Sequence, residues 1–332
     1  MPARSGNPDS KEPMMIHARG LTRRFMVKRR PVEAVRGLDL DVEPGQLVAF
    51  LGPNGAGKST SLRMLTTLLP PTSGTAAVAG HDIATSPGAV RARIGYVGQK
   101  NSAGDNYRVR DELITQGRGY GMTRHDARRR ADEVLDLLDL TPLADRKPNT
   151  LSGGQRRRLD IAMGLVNRPA LLFLDEPSTG LDPHSRANIW EHVLRLRAEH
   201  RTTLLFTTHY LDEADSMAER VVVIDHGRVI ADGTAQQLKA DLAGDHINIT
   251  VAQPDAAPAA EAAARIASPD AVTLDGPSIK VRVPRADSAL PEYLRAFEEA
   301  GIKAIAAETA RPTLDDVFLA LTGRSLREAE ES

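Results

Sequence analysis

Residues 47–61 read LVAFLGPNGAGKSTS: an apolar run, a glycine-rich turn and the opening of a helix that continues as SLRMLTTLL over 61–69. Gly52, Gly57, Lys58 and Ser59 satisfy G-x-x-x-x-G-K-[ST] in the strand–turn–helix context that the pattern requires. Such a loop wraps a polyphosphate with its backbone N–H groups, and a Cβ would obstruct that approach. The helix start adds a positive dipole end. Lys58 then supplies a full charge for the β- and γ-phosphates, and the Ser59 hydroxyl a hard oxygen for Mg²⁺.

At 332 residues the chain is long enough for about two domains. Its 43 basic and 44 acidic residues leave a formal charge of −1, which gives no electrostatic reason for a nucleic-acid partner. The absence of cysteine excludes disulfides, thiolate metal sites and cysteine catalysis. The nine histidines form no close pair at metal-ligand spacing. No uncharged apolar run approaches the roughly 18 residues that span a bilayer, and the first 13 residues lack the apolar core of a signal peptide. The sequence thus predicts a cytosolic chain with no transmembrane segment of its own.

Residues 1–13, rich in Pro, Gly and Ser, are expected to be disordered. MIHARGLTRRF, the basic turn VKRRP and AVRGLDLDV then form an antiparallel lead-in to the phosphate-loop strand. Phe25, at the end of the first strand, is by residue type a packed core aromatic. After the P-loop helix, TAAVAGHDI and RARIGYVGQ read as strands, the latter ending at Gln99. Residues 101–150 are polar and helical, with ARRRADEVLDLLDL apolar at helical spacing, and are read as a helical subdomain inserted into the α/β core. The core resumes with strand PALLFLDEP, a helix through NIWEHVLRLRAEH, strand TTLLFTTH, helix YLDEADSMAER and the hairpin RVVVIDHGRVIADG, which turns at His226-Gly227. This α/β core is assigned to 14–240. From 245 to 323 the order βαββαβ predicts a small α+β domain of split-βαβ type, closed by a helix over 314–322, with 324–332 as a solvated tail. The closing helix has Thr313 and Asp316 at capping-box spacing and Gly323 as its stop. Its stripe of Leu314, Val317, Phe318 and Leu321 is expected to pack on that domain's own sheet.

LLFLDE over 171–176 ends an apolar strand in two carboxylates. Asp175 is placed to serve Mg²⁺, and Glu176 to accept a proton from an attacking water. Pro177 predicts an extended backbone at Glu176. LSGGQ over 151–155 opens another helix at the N-cap Ser152, where Gly153 and Gly154 leave bare N–H groups facing an anion. One nucleotide cannot use both helix starts within one small core, so two chains sharing their sites are the natural resolution.

In order, GPNGAGKS (52–59), Gln99, LSGGQ, LLFLDEP, STGLDP (178–183) and His209 in TTHYLDEAD resemble the Walker A, Q-loop, signature, Walker B, D-loop and switch-histidine motifs of ABC-type ATPases. TTHYLDEAD, VIDHGRVIADGT and the terminal PTLDDVFLALTG are similar to those of the daunorubicin-resistance-type drug exporter ATPases, whose membrane subunits are separate polypeptides. KNSAGDNYRVR over 100–110 departs from that pattern. The resemblance implies a P-loop α/β fold and an ATP site formed by Gly52, Pro53, Asn54, Gly55, Ala56, Gly57, Lys58, Ser59 and Thr60. Mg²⁺ would be served by Ser59, Gln99 and Asp175. Glu176 would be the base, His209 the γ-phosphate contact, and Phe25 the adenine platform. Ser152, Gly153, Gly154 and Gln155 would act on the opposite subunit's nucleotide, with Asp182 at the dimer interface. It further implies a homodimer or paired ATPase subunit, at the cytoplasmic face of the membrane and beside a separate membrane-spanning permease. The C-terminal domain would help hold that assembly. An importer ATPase and a soluble non-transport ABC ATPase are the alternatives.

Overall fold

The computed structural model describes residues 14–268 and 271–326. The segment 1–13, expected to be disordered, and residues 327–332 of the expected tail lie outside the described residues. The chain forms two compact units that divide between Asp232 and Gly233.

In the first unit, β1 (Ile16–Val27), β2 (Arg30–Val42), β4 (Ser73–Val78) and β5 (His81–Asp82) form an antiparallel sheet in the order β2-β1-β4-β5. The β1–β2 turn is Lys28-Arg29, both at positive φ, so the basic turn is a tight two-residue hairpin. A second sheet runs β10-β9-β3-β8-β7-β6, from β3 (Leu47–Leu51), β6 (Ile94–Val97), β7 (Leu171–Asp175), β8 (Thr203–Thr208), β9 (Arg220–Asp225) and β10 (Arg228–Gly233). Every residue of β3, β7 and β8 is buried, as strands covered on both faces require. Helix α1 (Lys58–Leu65) lies between the sheets. There Leu62 and Leu65 join Phe50, Phe173 and Val222 of one sheet to Ile16, Leu21, Leu38 and Leu40 of the other. Each such side chain contributes about 1.5–3 kcal/mol by leaving water.

The helical insertion consists of α3 (Val109–Gly119) and α4 (Arg124–Leu137), which pack on each other and on α5 (Gly153–Leu165). Thr123 caps α4 by accepting from the Asp126 N–H. Helix α2 (Pro87–Arg93) leads into β6, α6 (Pro183–His200) joins β7 to β8, and α7 (Leu211–Met217) joins β8 to β9.

The second unit follows the expected βαββαβ order: β11 (Asp245–Thr250), α9 (Ala256–Ile266), β12 (Val272–Asp275), β13 (Ser278–Val283), α10 (Ala286–Glu299) and β14 (Ala306–Ala310), with sheet order β12-β13-β11-β14. Alternation sends Ile247, Ile249, Ile279 and Val281 toward Ala259, Ala263, Tyr293 and Phe297 of α9 and α10. The unit begins at 233 rather than near 245 because Thr234 caps α8 (Ala235–Leu238), which continues into a π-helical turn, Lys239–Ala243. Both pack on α11 (Leu314–Thr322).

Helix α11 has the expected capping box and a left-handed Gly323 at its end. Helix α11 packs on α8 and the π-turn, and its Asp316 reaches the sheet at His246 and Lys280. Leu314, Val317 and Phe318 are buried and stand outside the apolar cluster of β11, β13, α9 and α10. The opposite sheet face carries His246 and Lys280 by the same alternation. Asp316 answers that face with its carboxylate, 3.1 Å from His246 Nε2 and 3.0 Å from Lys280 Nζ. Leu326, assigned to the solvated tail, is buried, with its N–H donating to Asp315.

Phe318→Ala, which removes a fully buried ring, destabilises the second unit by about 3–5 kcal/mol and separates its melting from that of the first unit in calorimetry. The Asp316 carboxyl is raised by burial but lowered further by hydrogen bonds from His246, Thr313 and Lys280, ending well below the usual range. A depressed folded pKa stabilises fully above the unfolded value and is lost as pH falls toward the folded one. The stability difference between wild type and Asp316→Asn is therefore largest near neutrality and shrinks below pH of about 4. A difference that stays constant across that range in pH-dependent melting contradicts the ion pairing.

Candidate nucleotide site

The P-loop links β3 to α1, and its shape is enforced by its own chain as well as by the needs of a ligand. Gly57 has φ 105°, and a Cβ there would lie 2.4 Å from Ala34 O; one on Gly52 would lie 2.1 Å from Ile224 O. Gly227, in the β9–β10 turn, donates its N–H to Ala56 O at 2.8 Å, bracing the loop from outside. Lys58 is buried and turns back into the loop, with Nζ donating to Gly52 O at 2.6 Å and Pro53 O at 3.0 Å. Pro53, Asn54, Gly55 and Ala56 complete the turn, and Thr60 lies in the first turn of α1.

Three of the residues expected around a metal meet directly. Ser59 Oγ donates to Asp175 Oδ1 at 2.8 Å and accepts from Gln99 Nε2 at 3.2 Å. Asp175, at the end of β7, is buried and also accepts from Thr207 Oγ1 of β8 at 2.8 Å. The Tyr96 hydroxyl of β6 donates to Asp175 Oδ2 at 3.5 Å. The hydroxyl, carboxylate and amide side chains converge on one place, and this donor set suits a hard divalent cation.

Glu176 follows, and its backbone differs from expectation. It has φ 47°, in the left-handed region, where an extended conformation was predicted from Pro177. Tertiary hydrogen bonds override the local preference. The Glu176 N–H donates to Thr207 Oγ1 at 2.9 Å, and the Arg157 guanidinium of α5 takes the carbonyls of Asp175, Glu176 and Pro177 at 3.1, 3.2 and 2.7 Å. Such conformations cost about 1–3 kcal/mol and cluster at functional sites. The Glu176 carboxylate has Lys58 Nζ at 3.8 Å and His209 Nδ1 at 3.7 Å, both on Oε1, while Thr179 Oγ1 donates to Oε2 at 3.3 Å. The nearby His209 ring outweighs burial and, with the Lys58 charge, holds the carboxyl below its ordinary pKa, so it is ionised at neutral pH. The His209 ring packs on Tyr210 with centroids 4.1 Å apart, and the Arg186 guanidinium covers the Tyr210 ring at 3.9 Å.

The LSGGQ segment forms a separate helix start. Ser152 and Gln155 close a capping box on each other, so the polar end of Gln155 serves its own helix. A Cβ on Gly154 would sit 2.8 Å from Ser185 Oγ, and one on Gly153 3.5 Å from Leu181, which ties these glycines to the start of α6. Ser152 and Gly153 are exposed. Asp182 caps α6, accepting from the Ser185 N–H and hydroxyl at 2.9 and 2.6 Å, which lowers its pKa. Phe25 is half-buried and outside the apolar cluster between the sheets, with the Arg23 guanidinium 4.7 Å over its ring.

Four residues of this neighbourhood had no signal of their own in the sequence: Arg157, Tyr96, Thr207 and Glu213. Glu213 of α7 is buried and accepts from Thr208 Oγ1 at 2.7 Å, from Trp190 Nε1 at 3.0 Å and from Ser178 Oγ, joining the strand before His209 to the segment after Glu176. Its position in TTHYLDEAD, on the first turn after His209, was the available hint. Arg157 stood in a run of three arginines, with nothing to distinguish it from a solvated face.

A P-loop joined to two adjacent carboxylates, Asp175 and Glu176, at a strand end defines a P-loop ATPase. The model of the ABC transporter family matches residues 35–179. The chain is 44% identical over 300 residues to the daunorubicin resistance ATP-binding protein DrrA3 of Streptomyces coeruleorubidus, covering 90% of this chain and 94% of that protein. To the Nod factor export ATP-binding protein I of Burkholderia pseudomallei (strain 1710b) it is 37% identical over 299 residues, covering 88% and 93%. Among solved structures, the dimeric ATP-binding cassette MJ0796, in a post-hydrolysis state bound to ADP and Pi, matches with a TM-score of 0.61 and 26% identity over 66% of this chain and 98% of that one. The chain belongs to the ABC transporter family, as an ATP-binding, ATP-hydrolysing subunit of the exporter kind. These relatives do not favour the importer or the non-transport alternative. Among the described residues, no helix is long and apolar enough to cross a membrane.

Proposed function

We propose that this subunit works as one of two identical or paired ATPases at the cytoplasmic face of a separate membrane-spanning permease, powering efflux of a drug, lipid or secondary metabolite. The observation that carries the site is the meeting of Lys58 and His209 on one oxygen of Glu176 beside the P-loop. In this reading the N–H groups of residues 52–60 and Lys58 hold the phosphates, and half-buried Phe25 stacks on adenine. Ionised Glu176 orients the attacking water and accepts its proton, while His209 contacts the γ-phosphate. Ser59, Asp175 and Gln99 would hold Mg²⁺, which supplies charge neutralisation at the β- and γ-oxygens. Exposed Ser152 and Gly153, with Gly154 and Gln155 behind them, close on the nucleotide of the facing chain, with Asp182 at that interface. The domains divide the work, 14–232 carrying the chemistry and 233–326 supporting assembly.

The test is affinity purification of the tagged full chain from detergent-solubilised membranes. A membrane-spanning protein should be recovered in equal amount, and cells expressing both should retain less of an added anthracycline than cells with Lys58→Ala. Recovery of ribosomes, or of a permease together with a substrate-binding protein, overturns the exporter assembly.

A further inference from the structure

Arg157 lies two positions beyond Gln155 on the buried side of α5, with 7% of its surface exposed. Besides the carbonyls of Asp175, Glu176 and Pro177, its guanidinium donates from Nη1 to Gly98 O at 2.6 Å, immediately before Gln99. One planar fork therefore ties together the ends of β6 and β7, which carry Gln99 and Glu176, and anchors both to the helix that Ser152 opens. The nearest carboxylate, Asp160 Oδ2, is 3.9 Å away, so the backbone carbonyls supply its short contacts. Burial lowers the Arg157 pKa, partly offset by the Asp160 and Asp175 charges.

The chain has no local reason to hold Glu176 where it stands. Its left-handed φ is disfavoured for a residue with a Cβ, and the following proline biases it toward the extended region. A guanidinium satisfies several acceptors in one plane, which an ammonium cannot do. We propose that Arg157 is a positioning residue for hydrolysis, holding the left-handed backbone that aims the Glu176 carboxylate. This rests on the reading of Glu176 as the group that orients water.

The role separates from folding because its loss moves kcat and leaves ATP binding in place. A misplacement of about 1 Å at a reacting group can cost 10²-fold in rate. The experiment measures phosphate release and equilibrium ATP binding for the full chain carrying Arg157→Met, Arg157→Lys, Glu176→Gln and the Arg157→Met/Glu176→Gln pair. Arg157→Met is expected to lose about 10²-fold in kcat, with KM and ATP affinity within about twofold of wild type, and Arg157→Lys to recover only part of the loss. Because Arg157 acts through Glu176, the double variant should be no slower than Glu176→Gln alone.

Wild-type kcat in Arg157→Met, or multiplied losses in the double variant, overturns the proposal. Should Arg157→Met fail to bind ATP, Arg157→Lys decides. Reduced kcat with intact ATP affinity supports positioning, whereas unchanged kcat, or loss of ATP affinity here too, leaves Arg157 a purely structural residue. Normal turnover in Glu176→Gln instead removes the reading of Glu176, a result distinguishable from failure of the Arg157 proposal.

Discussion

Glu176→Gln is expected to reduce ATP turnover by about 10²-fold or more while leaving ATP bound. The amide is nearly isosteric with the carboxylate, so Ser59, Gln99 and Asp175 keep their mutual contacts, and Thr179 retains an oxygen to donate to. What disappears is an acceptor for the water's proton and the negative charge beside Lys58 and His209. With hydrolysis blocked and binding intact, the ATP-bound dimer should accumulate and elute as such in size-exclusion chromatography. The lowered pKa of Glu176 adds a sign: in wild type the acid limb of turnover lies below the ordinary glutamate value rather than above it. Wild-type phosphate release from Glu176→Gln would falsify the assignment.

The second large effect is complementation between two inactive chains. Lys58→Ala removes the buried ammonium of the P-loop, and Ser152→Arg places a long cation at an exposed helix start next to Gly153. Each variant alone should show almost no turnover. If the helix start acts on the facing chain, a mixed dimer contains one site with an intact P-loop and an intact LSGGQ. In an equimolar mixture half of the dimers are mixed, so about a quarter of wild-type activity should return. A mixture no more active than its parents, with mixed dimers demonstrated by differential tagging, counts against shared sites. Ser152 also caps α5, so melting of Ser152→Arg must accompany the assay; an N-cap contributes about 1 kcal/mol.

Much of this molecule was legible in local signals. The P-loop, its preceding strand and its following helix are contiguous, so their chemistry and their fold are written in the same residues. Both turns with paired positive φ, at Lys28-Arg29 and His226-Gly227, lay where the hairpins were read. The capping box of α11 was visible in the spacing of Thr313 and Asp316. Period-two alternation marked Ile247, Ile249, Ile279 and Val281 as the inward face of the second unit's sheet.

The misreadings share a cause. Pro177 favours an extended Glu176, but three hydrogen bonds donated by Arg157 and one accepted by Thr207, both distant in sequence, hold the left-handed turn. An apolar stripe at helical spacing shows that α11 buries one face without showing that the helix also meets α8 and the π-turn, more than seventy residues upstream. Likewise Leu326 looked like tail until Asp315 gave its N–H a partner.

Sequence alone thus determined the reaction class, because phosphate binding and metal coordination require particular residue types at fixed short spacings. The tertiary structure alone decided how the carboxylate is aimed and which arginine of three aims it. Those depend on strand ends and a helix brought together across long stretches of chain, where side-chain identity carries no trace of the partner it will meet.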